Sequence, residues 1–253
     1  LDEGFQNASH TLRWMLNEEL ADYSEVYFSN FDPFIRMLAC QFDRPSCEFI
    51  WYEDGFSTYV IDYLREDRAP INRHPAGRKI REKVRRVLLY EPHLALRGDH
   101  LINQALPKVD RNDQELKLLL NYIFDYQKPE ERMDFIFLEQ SFRAEGIQTN
   151  DLALMRLCQQ AVGPGRFLVK PHPRNPENTP FQLGLTRKYP TEAPWELFLP
   201  EHCTTITVCS NAALTSRIVF GMDVNTVMLY RLFEGKILWK EDAILKQYLR
   251  KFR

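Results

Sequence analysis

Short apolar runs that stop abruptly on polar, turn-forming residues constrain this chain more than any other feature. Cys47-Glu48-Phe49-Ile50-Trp51-Tyr52 ends directly on Glu53-Asp54-Gly55, and Arg86-Val87-Leu88-Leu89-Tyr90 ends on Glu91-Pro92. Arg166-Phe167-Leu168-Val169 closes on Lys170-Pro171-His172-Pro173 in the same way. Apolar runs of this length, bounded by turn signals, read as buried strands. Further strands are predicted at 25–28, 134–138, 204–208 and 225–229. Helices fall between them. Leu12, Met15, Leu16 and Leu20 share one face of 7–20, and Asp32-Pro33 supplies an N-cap and a first helical residue for a helix reaching Phe42. The spacing predicts further helices over 151–162, 212–219 and 241–252. Strands alternating with helices predict an α/β fold with parallel sheets covered on both faces. In such sheets ligands bind outside the carboxyl ends of the strands, where the polar motifs lie.

A chain of 253 residues holds one large domain or two small ones, and 44% hydrophobic with 27% charged residues provides both a core and a solvated surface. Between 94 and 132 the pattern turns polar and helical, with Leu116, Leu118, Leu119, Ile123 and Phe124 as its apolar stripe. Lys128-Pro129-Glu130-Glu131 interrupts it, so the predicted domains are 1–128 and 129–253. Only three strands are read before that boundary, so the N-terminal half is expected to be short, either lacking its start or trimmed. The net charge is −2, from 33 basic and 35 acidic residues, and gives no global basic field for nucleic acid. The five cysteines, Cys40, Cys47, Cys158, Cys203 and Cys209, lack the close spacing of a zinc or redox motif and are expected as buried free thiols in a reducing cytoplasm. No run approaches the ~20 apolar residues of a membrane span, and no signal-peptide pattern opens the chain. The basic run 78–86 reads as a solvated helix face or as a receiver of an anionic glycan or lipid headgroup. The last helix is amphipathic and basic, so it either packs on its domain or rests peripherally on the inner face of a membrane.

Four motifs carry chemistry. Glu53-Asp54-Gly55 sets two carboxylates at a strand end before a glycine turn, as a general base for an acceptor hydroxyl needs; an ordinary acidic turn has the same composition. Lys170-Pro171-His172-Pro173-Arg174 holds an imidazole between two prolines and two cations, which suits an anionic phosphate and a leaving oxygen. Pro194-Trp195-Glu196 places a carboxylate where ribose hydroxyls can be gripped, or simply begins a helix. Ser210-Asn211 precedes a helix, and the pair can cap it or hold phosphate.

In this order the motifs resemble those of bacterial sialyltransferases of glycosyltransferase family 52, the lipooligosaccharide and capsule type. These share an acidic pair followed by glycine, and a His-Pro motif, with the polysialyltransferases. Phe137-Leu138-Glu139-Gln140-Ser141 is also similar to the strand that opens the family's C-terminal half, and the likeness covers about 45–235. The resemblance implies a GT-B-like fold of two Rossmann-like halves facing across a cleft, with the acceptor side in 1–128 and the CMP-donor side in 129–253. It implies inverting transfer of sialic acid from CMP-sialic acid to a hydroxyl of a surface glycan or glycolipid, with no metal and no further cofactor. Glu53 is then the base, with Asp54 next in line, and His172 the acid or phosphate donor. Lys170, Pro173, Arg174, Glu196, Ser210, Asn211, Gln140 and Ser141 bind the donor. Asn211 departs from the family's second hydroxyl. Two other readings use the same strand ends: a teichoic-acid type enzyme transferring polyol phosphate from a CDP donor, and a non-catalytic glycan-binding protein on a transferase scaffold.

Overall fold

The computed structural model describes residues 23–41, 47–97, 100–125, 133–175, 177–187 and 202–235, with single positions at 3, 7, 10, 11, 14, 247, 248 and 250. The chain divides into two compact units, Leu1–Pro107 with Glu241–Arg253, and Lys108–Lys240. The division therefore falls at 107/108 rather than at 128, and the C-terminal segment belongs to the first unit rather than to the second. Charge and proline at 128–131 mark a break in the local pattern, which is a different thing from a break between cores.

The first unit holds a parallel sheet in plain sequential order: β1 (Glu25–Phe28), β2 (Glu48–Tyr52), β3 (Val84–Leu89) and β4 (Ile102–Ala105). Phe49, Ile50 and Trp51 of β2 are all buried, as expected for a strand covered on both faces. Trp51 packs edge-on to Phe31 and Tyr63, at 4.9 and 5.7 Å between ring centroids. Helix α1 (Pro33–Gln41) begins as its sequence predicts, with the Asp32 carboxylate accepting from Ile35 N–H at 2.8 Å. Short helices α2 (Phe56–Val60) and α3 (Pro70–Arg73) follow, then α4 (Pro75–Lys83). The basic run is therefore not one helical face. Its helix ends at Lys83 and Arg86 lies inside β3, where it binds Glu48 at 2.7 Å and Glu25 at 3.0 Å.

The second unit opens with helix α5 (Gln114–Phe124) and builds a parallel sheet in the order β6-β5-β7-β8, from β5 (Phe135–Leu138), β6 (Phe167–Lys170), β7 (Thr204–Thr207) and β8 (Thr226–Met228). Helix α6 (Asp151–Val162) links β5 to β6, and α7 (Thr179–Gln182) and α8 (Ala212–Ile218) come later in the chain. Met133, Ile136, Leu138, Leu168, Cys203 and Ala213 pack together as core. Cys47, Cys203 and Cys209 are buried free thiols and Cys158 is half-buried. Burial, aided by the Asp134 charge, pushes the Cys203 thiol up to about 12. Among the described residues no helix is long and apolar enough to cross a membrane.

Candidate functional site

Strand order singles out one place on the second sheet. The chain leaves β5 for β6 on one side, crosses over to β7 on the other, and continues outward to β8. The connections leaving β5 and β7 thus diverge, which opens a crevice at their carboxyl ends, the usual ligand position in an open parallel sheet. Among the described residues the first sheet runs in simple sequential order, with no such reversal.

Glu139 and Gln140 follow β5 at this point. The Glu139 N–H extends the ladder to the Lys170 carbonyl at 3.1 Å, and its fully buried carboxylate turns to the neighbouring strand end. Oε2 accepts the His172 backbone N–H at 2.8 Å, and Oε1 accepts from the Arg143 guanidinium. Arg143 also binds Asp151 at 2.8 Å, and the other oxygen of Asp151 accepts the Thr149 hydroxyl at 2.7 Å. Two buried carboxylates therefore share a guanidinium, and one of them fixes the His172 peptide with a charge-assisted bond.

Lys170 is buried and its Nζ donates to the Pro171 carbonyl at 3.2 Å. His172 is half-buried, with Pro171 and Pro173 fixing the backbone on either side. Its Nδ1 accepts the Arg174 N–H at 3.1 Å. A peptide N–H can only donate, so the ring proton sits on Nε2. Burial first, then the Arg174 and Lys170 charges, hold the imidazole below its ordinary pKa, against a smaller pull from Glu145. The result is a neutral ring that offers Nε2–H as a donor.

The remaining strand ends are tied to this one. Gln140 Oε1 accepts the Cys209 thiol at 3.1 Å, across the crevice between β5 and β7. Asn175 donates to the Gln140 carbonyl at 3.0 Å and accepts from Ala144 N–H at 3.2 Å. The Ser141 hydroxyl and the exposed Arg174 guanidinium both bind Glu145. Thr207 donates its hydroxyl to the Leu138 carbonyl and accepts the Ser210 N–H, each at 3.0 Å. Ser210 Oγ accepts from Ala212 N–H at 3.3 Å and so starts α8, while Asn211 makes no side-chain cap and its buried Oδ1 has no hydrogen-bond partner among the described residues. One sheet edge thus brings together Gln140, Ser141, Lys170, His172, Pro173, Arg174, Ser210 and Asn211. Glu196 lies outside the described residues.

Glu53 and Asp54 belong to the first unit, at the carboxyl end of β2. Glu53 N–H donates to the Leu88 carbonyl at 3.0 Å. Its carboxylate accepts from the Tyr59 hydroxyl and, at 3.0 Å, from Tyr90 N–H. Burial and the Glu53 charge raise the Tyr59 phenol far above its usual value, so it stays a donor to that carboxylate. Asp54 serves the turn instead, accepting the Thr58 hydroxyl at 2.8 Å and the Ser57 hydroxyl at 3.4 Å. Of the acidic pair, Glu53 is the half-buried member and Asp54 the exposed one.

Arg143, Glu145 and Asn175 escape a reading by motif, and Glu139 falls in a motif without being given a role, yet they hold the site. Glu139 leaves a trace, a carboxylate directly after a strand of buried apolar residues; Arg143 and Asn175 leave none, because their roles arise only when separate loops meet. No family model, no curated protein and no solved structure matches the chain.

Proposed function

We propose that this chain is an inverting glycosyltransferase of GT-B type that moves sialic acid from CMP-sialic acid to a hydroxyl of a surface glycan, without a metal. The observation that carries this reading is the strand edge of the second unit, where a neutral imidazole with its proton on Nε2 sits between Lys170 and Arg174. In the transfer, the acceptor oxygen bonds to the anomeric carbon while the bond from that carbon to the phosphate oxygen of CMP breaks. Charge develops on the departing phosphate, and preorganised donors lower the barrier because they need not reorganise as it forms. His172 Nε2–H is the donor assigned to that oxygen, with Lys170 and Arg174 supplying positive charge and the Ser210 hydroxyl a further donor. Gln140 and Ser141 border the same crevice on the β5 side. Glu53 is assigned the proton of the acceptor hydroxyl; Asp54, spent on its turn, is the weaker choice.

Thermal stability with CMP, CDP and UDP tests the reading. A ligand at 100 times its Kd stabilises the fold by ~2.7 kcal/mol, which a melting curve resolves. CMP is expected to raise Tm more than CDP or UDP, and His172→Ala to abolish transfer while keeping the fold. Preference for CDP turns the assignment to polyol-phosphate transfer, and full transfer by the His172 variant refutes the role given to that ring.

A further inference from the structure

Helix α5 is well formed and almost wholly bare. The Asp113 carboxylate caps it, accepting from Glu115 N–H at 2.9 Å and Leu116 N–H at 3.2 Å, and none of its residues is buried. Leu116, Lys117 and Leu120 form its half-buried side. The opposite side is apolar as well: Leu118 is 69% exposed, Leu119 54%, Tyr122 88% and Ile123 57%. Helical spacing sets these four on one outward stripe. Isolated helices shorter than ~12–15 residues are marginal in water, so an 11-residue helix of this kind needs packing from outside. Seven of its eleven residues are apolar, against Gln114, Glu115, Lys117 and Asn121, and the exposed ones gain by being covered.

Charge and area narrow the choice of cover. Residues 108–125 carry Lys108, Arg111 and Lys117 against Asp110, Asp113, Glu115 and Asp125, one net negative charge, which disfavours an anionic lipid surface. At about 150–250 Å2 for a large side chain, the four exposed fractions leave roughly 400–600 Å2 of apolar surface per copy, as large as the biggest patch on a typical monomer. Two such faces together reach about 1,000 Å2, the lower bound for a specific, reversible protein contact. An exposed tyrosine among branched aliphatics is the composition of an interface core.

We propose that the outward face of α5 pairs with the same face of a second copy of this chain. In an antiparallel, two-fold arrangement Leu118 and Leu119 of one copy meet Tyr122 and Ile123 of the other, and the reverse, so each contact occurs twice. The face lies wholly on α5, and this pairing does not depend on the reaction assigned above.

Sedimentation velocity of the full chain tests this directly. The weight-average mass is expected to rise with concentration from 30.0 kDa towards twice that value, with a Kd on the order of 1–100 µM for so small a contact. The double variant Leu118→Lys, Tyr122→Lys should remain monomeric at every concentration, with circular dichroism and Tm matching the wild type below the dimerisation Kd, where both side chains are solvated in each. A wild-type chain that stays monomeric throughout overturns the proposal, as does a double variant that still dimerises. Flotation with phosphatidylcholine vesicles is the second arm: binding by a monomeric wild type, lost in the double variant, assigns the face to lipid and overturns pairing.

Discussion

At His172, burial and the Arg174 and Lys170 cations all oppose protonation, so the folded pKa lies below the ordinary 6.5. In the window just under 6.5 the unfolded chain takes up a proton at this ring that the folded chain does not. Stability contributed by the ring is therefore full above that window and is lost as pH falls through the folded value. Replacing His172 by Gln removes this dependence, and the urea midpoint of the variant should vary less with pH in the range below 6.5 than that of the wild type. Equal slopes would show that the ring titrates alike in both states. The same residue shows what a motif can and cannot tell. Its imidazole and its two prolines are legible in the sequence as a pinned basic loop. The Nε2 tautomer follows only from the Arg174 N–H at 3.1 Å, and the fixed peptide only from Glu139 at 2.8 Å, contacts between atoms that no spacing rule connects.

Among the elements, legibility follows burial. Strands at 47–52, 134–138 and 166–169 announce themselves because their apolar side chains serve a core on the sheet faces, whereas 25–28 is read from its composition although only Phe28 is buried. β4 does not, because Ile102-Asn103-Gln104-Ala105 is exposed at every position and so carries no pattern to read. The short helix α2 is hidden in a different way, since five residues, Phe56–Val60, hold too little periodicity to separate a helix from a turn. What starts it is backbone chemistry at Gly55, where φ is 142° and ψ is −163°. A side chain at such a φ is strained by about 1–3 kcal/mol, and the glycine avoids that cost between the end of β2 and the first turn of α2. Gly55→Ala should lower unfolding stability by that amount in urea titration. A change under about 0.5 kcal/mol, the range of an ordinary surface substitution, would mean that the turn relaxes freely. Since Glu53 and Asp54 immediately precede this turn, its geometry also sets which of the two carboxylates faces Tyr59 and which accepts the Ser57 and Thr58 hydroxyls.

For the molecule as a whole, the two sheets differ in kind. The second has the reversal of strand order at which open parallel sheets bind ligands, and eight of the residues assigned from sequence gather at its edge; among the described residues the first runs in sequential order. Strand order is set by long-range pairing, which explains why the crevice itself was not legible from alternating strands and helices. The end of the chain adds another long-range effect. Tyr248 is fully buried in the first unit, with its ring 4.6 Å from Phe56 and 5.5 Å from Tyr59 between centroids. Burial and then the Glu53 charge raise its phenol pKa, which places this tail residue within the electrostatic field of the acidic motif. Deleting a buried aromatic ring costs about 3–5 kcal/mol, through lost transfer energy and the cavity left behind. Tyr248→Ala should therefore destabilise the first unit by that amount, and hydrogen exchange should quicken at the amides of α2, whose Phe56 and Tyr59 pack against the lost ring, and of the preceding residues 53–55. Unchanged protection there would mean that the Glu53 edge is held by β2 and Tyr59 alone, with the chain end contributing nothing to it.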